Sequence, residues 1–142
     1  MIFQASENVG GVWSTHRWHG ARCDSEFIKY SFSFKPFPSP HRLQTREQIH
    51  EYLRSVTAEF AILRNIRFNT RVTRAVFDTA RWRWTVETTV GVFTSDFLHN
   101  GNGYFAGPYT PTFAGADTFK GEIVHTAALD SRRTFLDQDV VL

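Results

Sequence analysis

Three groups of residues in this 142-residue chain have the types and spacing to do chemistry. The first is Gly10, Gly11, Val12 and Trp13, followed by Gly20, Arg22, Cys23 and Asp24. Glycine lets backbone approach a flat ligand, Trp13 offers a ring to cover it, and Arg22 and Asp24 place opposite charges just after Gly20. The plainer readings are a tight turn at Gly10 and Gly11 and a solvated surface carboxylate at Asp24. The second group is Phe119, Gly121 and His125, the histidine following Ile123 and Val124. Such a histidine ordinarily plays a structural part, with one ring nitrogen bonded to backbone. The third, Gly101-Asn102-Gly103-Tyr104, reads as a turn, with close backbone approach to a bound group as the alternative. The six histidines do not pair with cysteine or carboxylate at metal-ligand spacing, so no metal is expected. Ser25, Ser31 and Ser33 lack the G-x-S-x-G setting of a nucleophile elbow.

These residues need elements to hold them. Ile2 and Phe3 read as the tail of a strand, and residues 5–44 as largely irregular, with Pro36, Pro38 and Pro40 imposing extended backbone. Thr45 with Gln48 forms a capping-box pattern, and Ile49, Tyr52, Leu53, Val56 and Phe60 then recur at helical spacing. The spacing predicts one amphipathic helix over 46–60. Strands follow at 66–68 and 70–77, and Trp82, Trp84, Val86 and Thr88 alternate with Arg83, Thr85 and Glu87. With turns at 78–80 and 90–91 and a last strand over 92–98, this predicts a small antiparallel meander. Residues 100–121 are loop-like, and Asp139 to Leu142 resemble the start of a buried strand.

Composition sets the outer limits. A chain of this length is expected to form one domain with a sizeable core. Hydrophobic content of 42%, charged content of 21% and 14 phenylalanines argue for a globular rather than a disordered chain. A net charge of +2 spread over dispersed basic residues argues against nucleic acid as partner. The single cysteine excludes an internal disulfide and fits a reducing compartment. With no apolar run of about 20 residues and no signal pattern, the expectation is a soluble, cytoplasmic protein without a transmembrane segment.

In order, the motifs resemble those of the class B flavoprotein monooxygenases, which include the flavin-containing and Baeyer-Villiger monooxygenases. The matching residues are Phe3-Gln4, Gly10-Gly11-Val12-Trp13, Arg17-Trp18-His19-Gly20-Ala21-Arg22-Cys23-Asp24 and Tyr30-Ser31-Phe32-Ser33-Phe34. Gly101-Asn102-Gly103-Tyr104 then stands where the family has A-T-G-x. Phe119, Gly121, His125 and Asp130 match its Phe-x-Gly-x-x-x-His fingerprint. The resemblance covers nearly the whole chain.

The resemblance implies an α/β fold: a partial FAD/NAD(P)-binding, Rossmann-like domain with an inserted antiparallel meander and one amphipathic helix. It implies FAD and NADPH as cofactors, contacted by Gln4, Gly10, Gly11, Val12, Trp13, Arg22, Cys23, Asp24, Tyr30 and Val72, with Asp24 the catalytic candidate beside flavin and NADPH. Phe119, Gly121 and His125 would belong to a linker, residues 119–142, leading toward an NADPH-binding domain. The implied reaction is oxygenation of a soft heteroatom or a ketone on a small organic molecule by oxygen, through a peroxyflavin. Departures accompany the matches. Gln4 replaces the acid expected at the ribose, Asn102 replaces threonine, and Leu129 replaces the fingerprint tryptophan. The glycine-rich turn G-x-G-x-x-G occurs nowhere in the sequence. The expectation is therefore an internal fragment that lacks both nucleotide fingerprints, is inactive alone and is completed by the missing segments of the same enzyme. The alternative is a noncatalytic α+β ligand-binding or interaction module on the same scaffold.

Overall fold

The elements in chain order are β1 (Ile2–Phe3), a short helix α1 (Val12–Thr15), α2 (Arg46–Glu59), β2 (Ile66–Arg67), β3 (Val72–Asp78), β4 (Arg83–Thr88) and β5 (Gly91–Ser95). Single 3-10 turns lie at Phe27–Lys29, Ile62–Asn65 and Thr126–Ala128. The computed structural model describes residues 1–37, 39, 41–105, 107–129 and 132–141. The readings made for Pro38, Pro40, Asp130 and Leu142 fall outside the described residues. The chain divides into two compact units, Met1–Val9 with Leu53–Gly103, and Gly10–Tyr52 with Tyr104–Leu142.

Helix α2 begins as its sequence dictates. The Thr45 amide donates to Gln48 Oε1 at 3.0 Å, and the Gln48 amide donates to Thr45 Oγ1 at 3.4 Å. This reciprocal pair satisfies backbone donors that the first turn would leave without partners. Glu47, in that turn, has its carboxyl held below the usual value chiefly by its own backbone N–H, as suits a carboxylate at a helix N-terminus. Ile49, Tyr52 and Val56 are buried, each worth roughly 1.5–3 kcal/mol by the area it removes from water. The helix ends at Glu59 because Ala61 turns left-handed, with φ 51°. Phe60 therefore falls just past the helix and stays exposed.

In the first unit β1 and β2 pair in parallel, Ile2 opposite Ile66. Strands β3, β4 and β5 form the antiparallel meander in that order. Thr73 makes an extra residue in β3, since Val72 faces Thr88 while Arg74 faces Glu87. Asp78 builds the first hairpin turn by accepting the Ala80 and Arg81 amides at 2.9 and 3.1 Å. Val86 is the buried residue of β4, and the Phe93 ring of β5 packs on Phe3 at 4.8 Å.

Three expectations fail here. Trp82 is not a strand residue: it takes φ 53° in the turn before β4, with its side chain exposed. The alternation counted from Trp82 is carried from Trp84 onward, because Asp78 fixes where the turn must close. Residues 139–141 form no strand, and Val141 is exposed. An apolar run needs a neighbouring ladder to become a strand, and none of the described residues supplies one. The final meander strand also stops at Ser95 rather than at residue 98.

Candidate functional site

Gly10 and Gly11 adopt φ 112° and 53°, backbone that side chains rarely tolerate. The turn they make starts α1: Trp13 N donates to Gly10 O and Ser14 N to Gly11 O, both at 3.0 Å. The two glycines differ in surroundings. A methyl at Gly10 would lie 2.9 Å from His50 Cδ2, whereas one at Gly11 would meet nothing within 4 Å. Gly10 is needed for packing as well as conformation, and Gly11 leaves bare backbone facing open space.

Trp13, from this turn, meets Tyr30 edge-on, with ring centroids 6.2 Å apart. The Tyr30 hydroxyl donates to Asp24 Oδ1 at 3.0 Å and accepts from Ser25 Oγ at 3.2 Å. The rear of Tyr30 stacks on Phe27, which is buried and packs edge-on against Tyr52. Structure thus joins Trp13, Asp24 and Tyr30, residues separated by as much as 17 positions, into one cluster on an aromatic base.

The Asp24 segment is held as an extended strip. Arg46 N donates to Ala21 O at 2.8 Å, and Cys23 N donates to Gln44 O at 3.0 Å. Ala21 and Cys23 point inward and are buried, while Arg22 and Asp24 point out and are exposed. Cys23 Sγ accepts the Gln44 amide at 3.1 Å, so its side chain faces the core and is not offered at the surface. The Tyr30-to-Phe34 motif folds into a tight turn closed by Tyr52, whose hydroxyl accepts from Phe32 N and donates to Lys35 O.

Gln4 and Val72 belong to the first unit, whereas the cluster belongs to the second. Gln4 Nε2 donates to Ser6 Oγ at 2.7 Å and to the Asn8 carbonyl at 2.9 Å, bracing its own loop. Val72 opens β3 opposite Thr88 and is largely exposed. In the fingerprint segment the Phe119 ring lies over Gly121, where a Cβ would come within 2.5 Å of Phe119 Cζ. His125 caps a 3-10 turn through Nδ1, which accepts from Ala127 N at 3.0 Å. This is the structural role open to it from sequence. Glu122 and Arg133 close the segment with a bidentate ion pair. Asn102 N donates to Asn100 Oδ1, a local bond over residues 100–102, and residues 101–104 are exposed, with no turn at 101–103. Among the described residues no group of three or more His, Cys, Asp or Glu is arranged to hold a metal, and no helix is long and apolar enough to cross a membrane.

The residues that sequence reading did not connect with the site are Gln44, Arg46, His50 and Tyr52, the last read only as part of the helix's apolar face, all at or on the first turns of α2. A signal existed: Arg46 and His50 share one face at i and i+4, next to the buried Ile49 and Tyr52.

A motif order joined to this geometry invites comparison with known proteins. Residues 1–142 match the family model described as "Flavin-binding monooxygenase-like". The chain belongs to that family. Among its relatives, a Baeyer-Villiger monooxygenase of Streptomyces coelicolor is 33% identical over 143 residues, covering 100% of this chain and 28% of the relative. The FAD-containing monooxygenase EthA of Mycobacterium tuberculosis is 35% identical over 130 residues, covering 87% of this chain and 27% of its own length. A solved steroid monooxygenase bound to NADP superposes with a TM-score of 0.74 at 44% identity, over 88% of this chain and 25% of that one. This member of the flavin-binding monooxygenase-like family thus spans little more than a quarter of the relatives' length, and its α/β arrangement is that of part of their fold.

Proposed function

We propose that this chain supplies the face of a monooxygenase site that meets the flavin ring and NADPH, in an enzyme that oxygenates a ketone or a soft heteroatom on a small organic substrate. The observation that carries the reading is the cluster of Trp13, Tyr30 and Asp24 beside the open backbone of Gly11. Such a surface suits a flat, polar-edged ring: bare backbone allows close approach, Trp13 offers an apolar wall, and a carboxylate stands at the rim. FAD, when bound, supplies the redox and oxygen-activating chemistry that amino-acid side chains lack.

The chain's own residues bind, orient and shield. Tyr30 holds Asp24 by donating to one carboxylate oxygen, which leaves Oδ2 to accept from a cofactor amide or hydroxyl. Arg22 projects from the same open side of the strip and offers its guanidinium to an anionic group, the natural partner being a phosphate of NADPH. Gly10, Gly11 and Val12 place backbone rather than side chains against the ring. Gln4 and Val72 take the adenosine side of FAD, where a neutral amide in place of a carboxylate gives a weaker bond to ribose. Phe119, Gly121 and His125 form the connection toward an NADPH-binding domain over residues 119–142, and the whole belongs to a Rossmann-like FAD-binding domain. Because the sequence contains no G-x-G-x-x-G turn to cradle the pyrophosphate, the isolated chain is expected to hold FAD weakly.

The test is to graft this chain in place of the matching segment of the steroid monooxygenase relative and compare Asp24 with Asp24→Ala. Slower NADPH-driven turnover in a variant that still binds FAD supports the reading. Unchanged kinetics would remove the role of the carboxylate, and a graft that folds without taking up FAD would favour a noncatalytic binding module.

A further inference from the structure

We propose that Arg46 and His50 act as a two-jawed clamp from α2 onto the turn at residues 10–13, and that Arg46 is a positioning residue for Trp13. One jaw is a hydrogen bond. Arg46 Nη1 donates to the Trp13 carbonyl at 3.1 Å across 33 residues of sequence. That carbonyl lies in α1, a helix too short to give it an intrahelical partner, so a charged donor there is strong and directional. The Arg46 side chain is only 17% exposed, and its Nε is oriented by Glu47 Oε1 at 3.0 Å. The second jaw is steric. His50, one helical turn along the same face, packs where a side chain at Gly10 would have to go.

The clamp also reaches the carboxylate. Arg46 donates through its backbone to Ala21 O at 2.8 Å, in the strip that ends in Asp24. One residue is therefore bonded to both segments whose side chains meet at Tyr30. Loss of the guanidinium removes the link to Trp13 and leaves the backbone bond to Ala21 in place. A substitution at Arg46 should move Trp13 relative to Asp24 without undoing the strip.

The inference rests on the flavin-facing reading for its functional meaning, and one experiment separates the two. The chain is labelled with 5-fluorotryptophan, the Trp13 resonance is assigned by Trp13→Phe, and spectra of Arg46→Gln, Arg46→Lys and His50→Ala are compared with the parent. The expected result is a shifted or broadened Trp13 resonance in Arg46→Gln, a return toward the parent position in Arg46→Lys, and unmoved Trp82 and Trp84 resonances. His50→Ala keeps the Arg46 bond but frees Gly10, and should move Trp13 even if Arg46→Gln does not fold. An unmoved Trp13 resonance in folded Arg46→Gln or in His50→Ala overturns the clamp, as does an equal displacement of all the tryptophans. FAD is then added in large excess to the parent chain. Perturbation of the Trp13 resonance, lost in Arg46→Gln, supports both ideas. If FAD shown to be bound by quenching of its own fluorescence leaves Trp13 untouched while Arg46→Gln displaces it, the flavin reading fails and the clamp stands.

Discussion

Two stretches of this chain are comparably rich in aromatic residues, and only the first buries any of them fully, although its Phe34 is as exposed as Phe119 of the second. In residues 10–52, Phe27 and Tyr52 are buried and Tyr30 is stacked on Phe27. In residues 97–123, Phe97, Tyr104, Phe105, Tyr109, Phe113 and Phe119 all lie exposed. The difference is in reach. The first stretch folds back on α2 through bonds that span 17, 20, 21 and 33 residues. The bonds that shape the second stretch and its continuation close short loops: Asn102 to Asn100, Thr118 to Gly115, Ala127 to His125 and Arg133 to Glu122. Hydrophobic side chains become a core when a second element faces them. Composition alone does not make that happen.

This contrast can be broken or sharpened by substitution, beginning with the largest effect. Ile49→Ala removes a fully buried side chain under the first stretch and should cost about 2–5 kcal/mol in urea unfolding. Tyr109→Ala in the second stretch should stay within roughly 0.5 kcal/mol. Equal costs at the two positions would abolish the distinction. Gly10→Ala combines a positive φ with a collision against His50 and should lose about 1–3 kcal/mol. The relief expected from adding His50→Ala would show how much of that loss is steric. Thr45→Ala removes one half of the capping box and should cost roughly 0.5–2 kcal/mol, seen as lower helicity and an earlier thermal transition.

The smallest effect concerns the locally held segment. Arg133 keeps the Glu122 carboxyl below its ordinary value of 4.5, mainly by direct hydrogen bonding. A carboxylate with a depressed folded-state value contributes above its unfolded value and loses that contribution as pH falls through the folded one. Acidification below pH 4.5 should therefore loosen the segment that Glu122 and Arg133 close, read as a lower protection factor, corrected for the intrinsic exchange rate at each pH, at the Ala128 amide that donates to His125 O, and leave the α2-anchored stretch unaffected in its first response. Because the pair is exposed, salt should weaken the effect. Simultaneous loosening of both stretches would mean that they are not independently held.

What could be read in the sequence was what is decided within a few residues. The Thr45 and Gln48 box, the helix after it and the alternation from Trp84 to Thr88 all have causes lying inside windows of four to fourteen residues. The family motifs are equally legible, and they mark Trp13, Asp24 and Tyr30 from residue order alone. Trp82 was misread because strand alternation does not reveal where a turn closes; that was set by Asp78 accepting two amides. Val140 and Val141 were misread because an apolar run carries no information about whether a partner strand is present.

The sequence by itself determined the family, the helix and its start, the meander, and which residue types gather near the candidate site. Tertiary structure alone decided that Tyr30 holds Asp24, that Cys23 turns inward while Arg22 and Asp24 turn out, and that Arg46 reaches Trp13. The physical reason is one of range. Capping and periodicity act between neighbours along the chain, whereas a hydroxyl to a carboxylate or a guanidinium to a carbonyl forms only after packing on α2 has brought distant segments within 3 Å or so of one another.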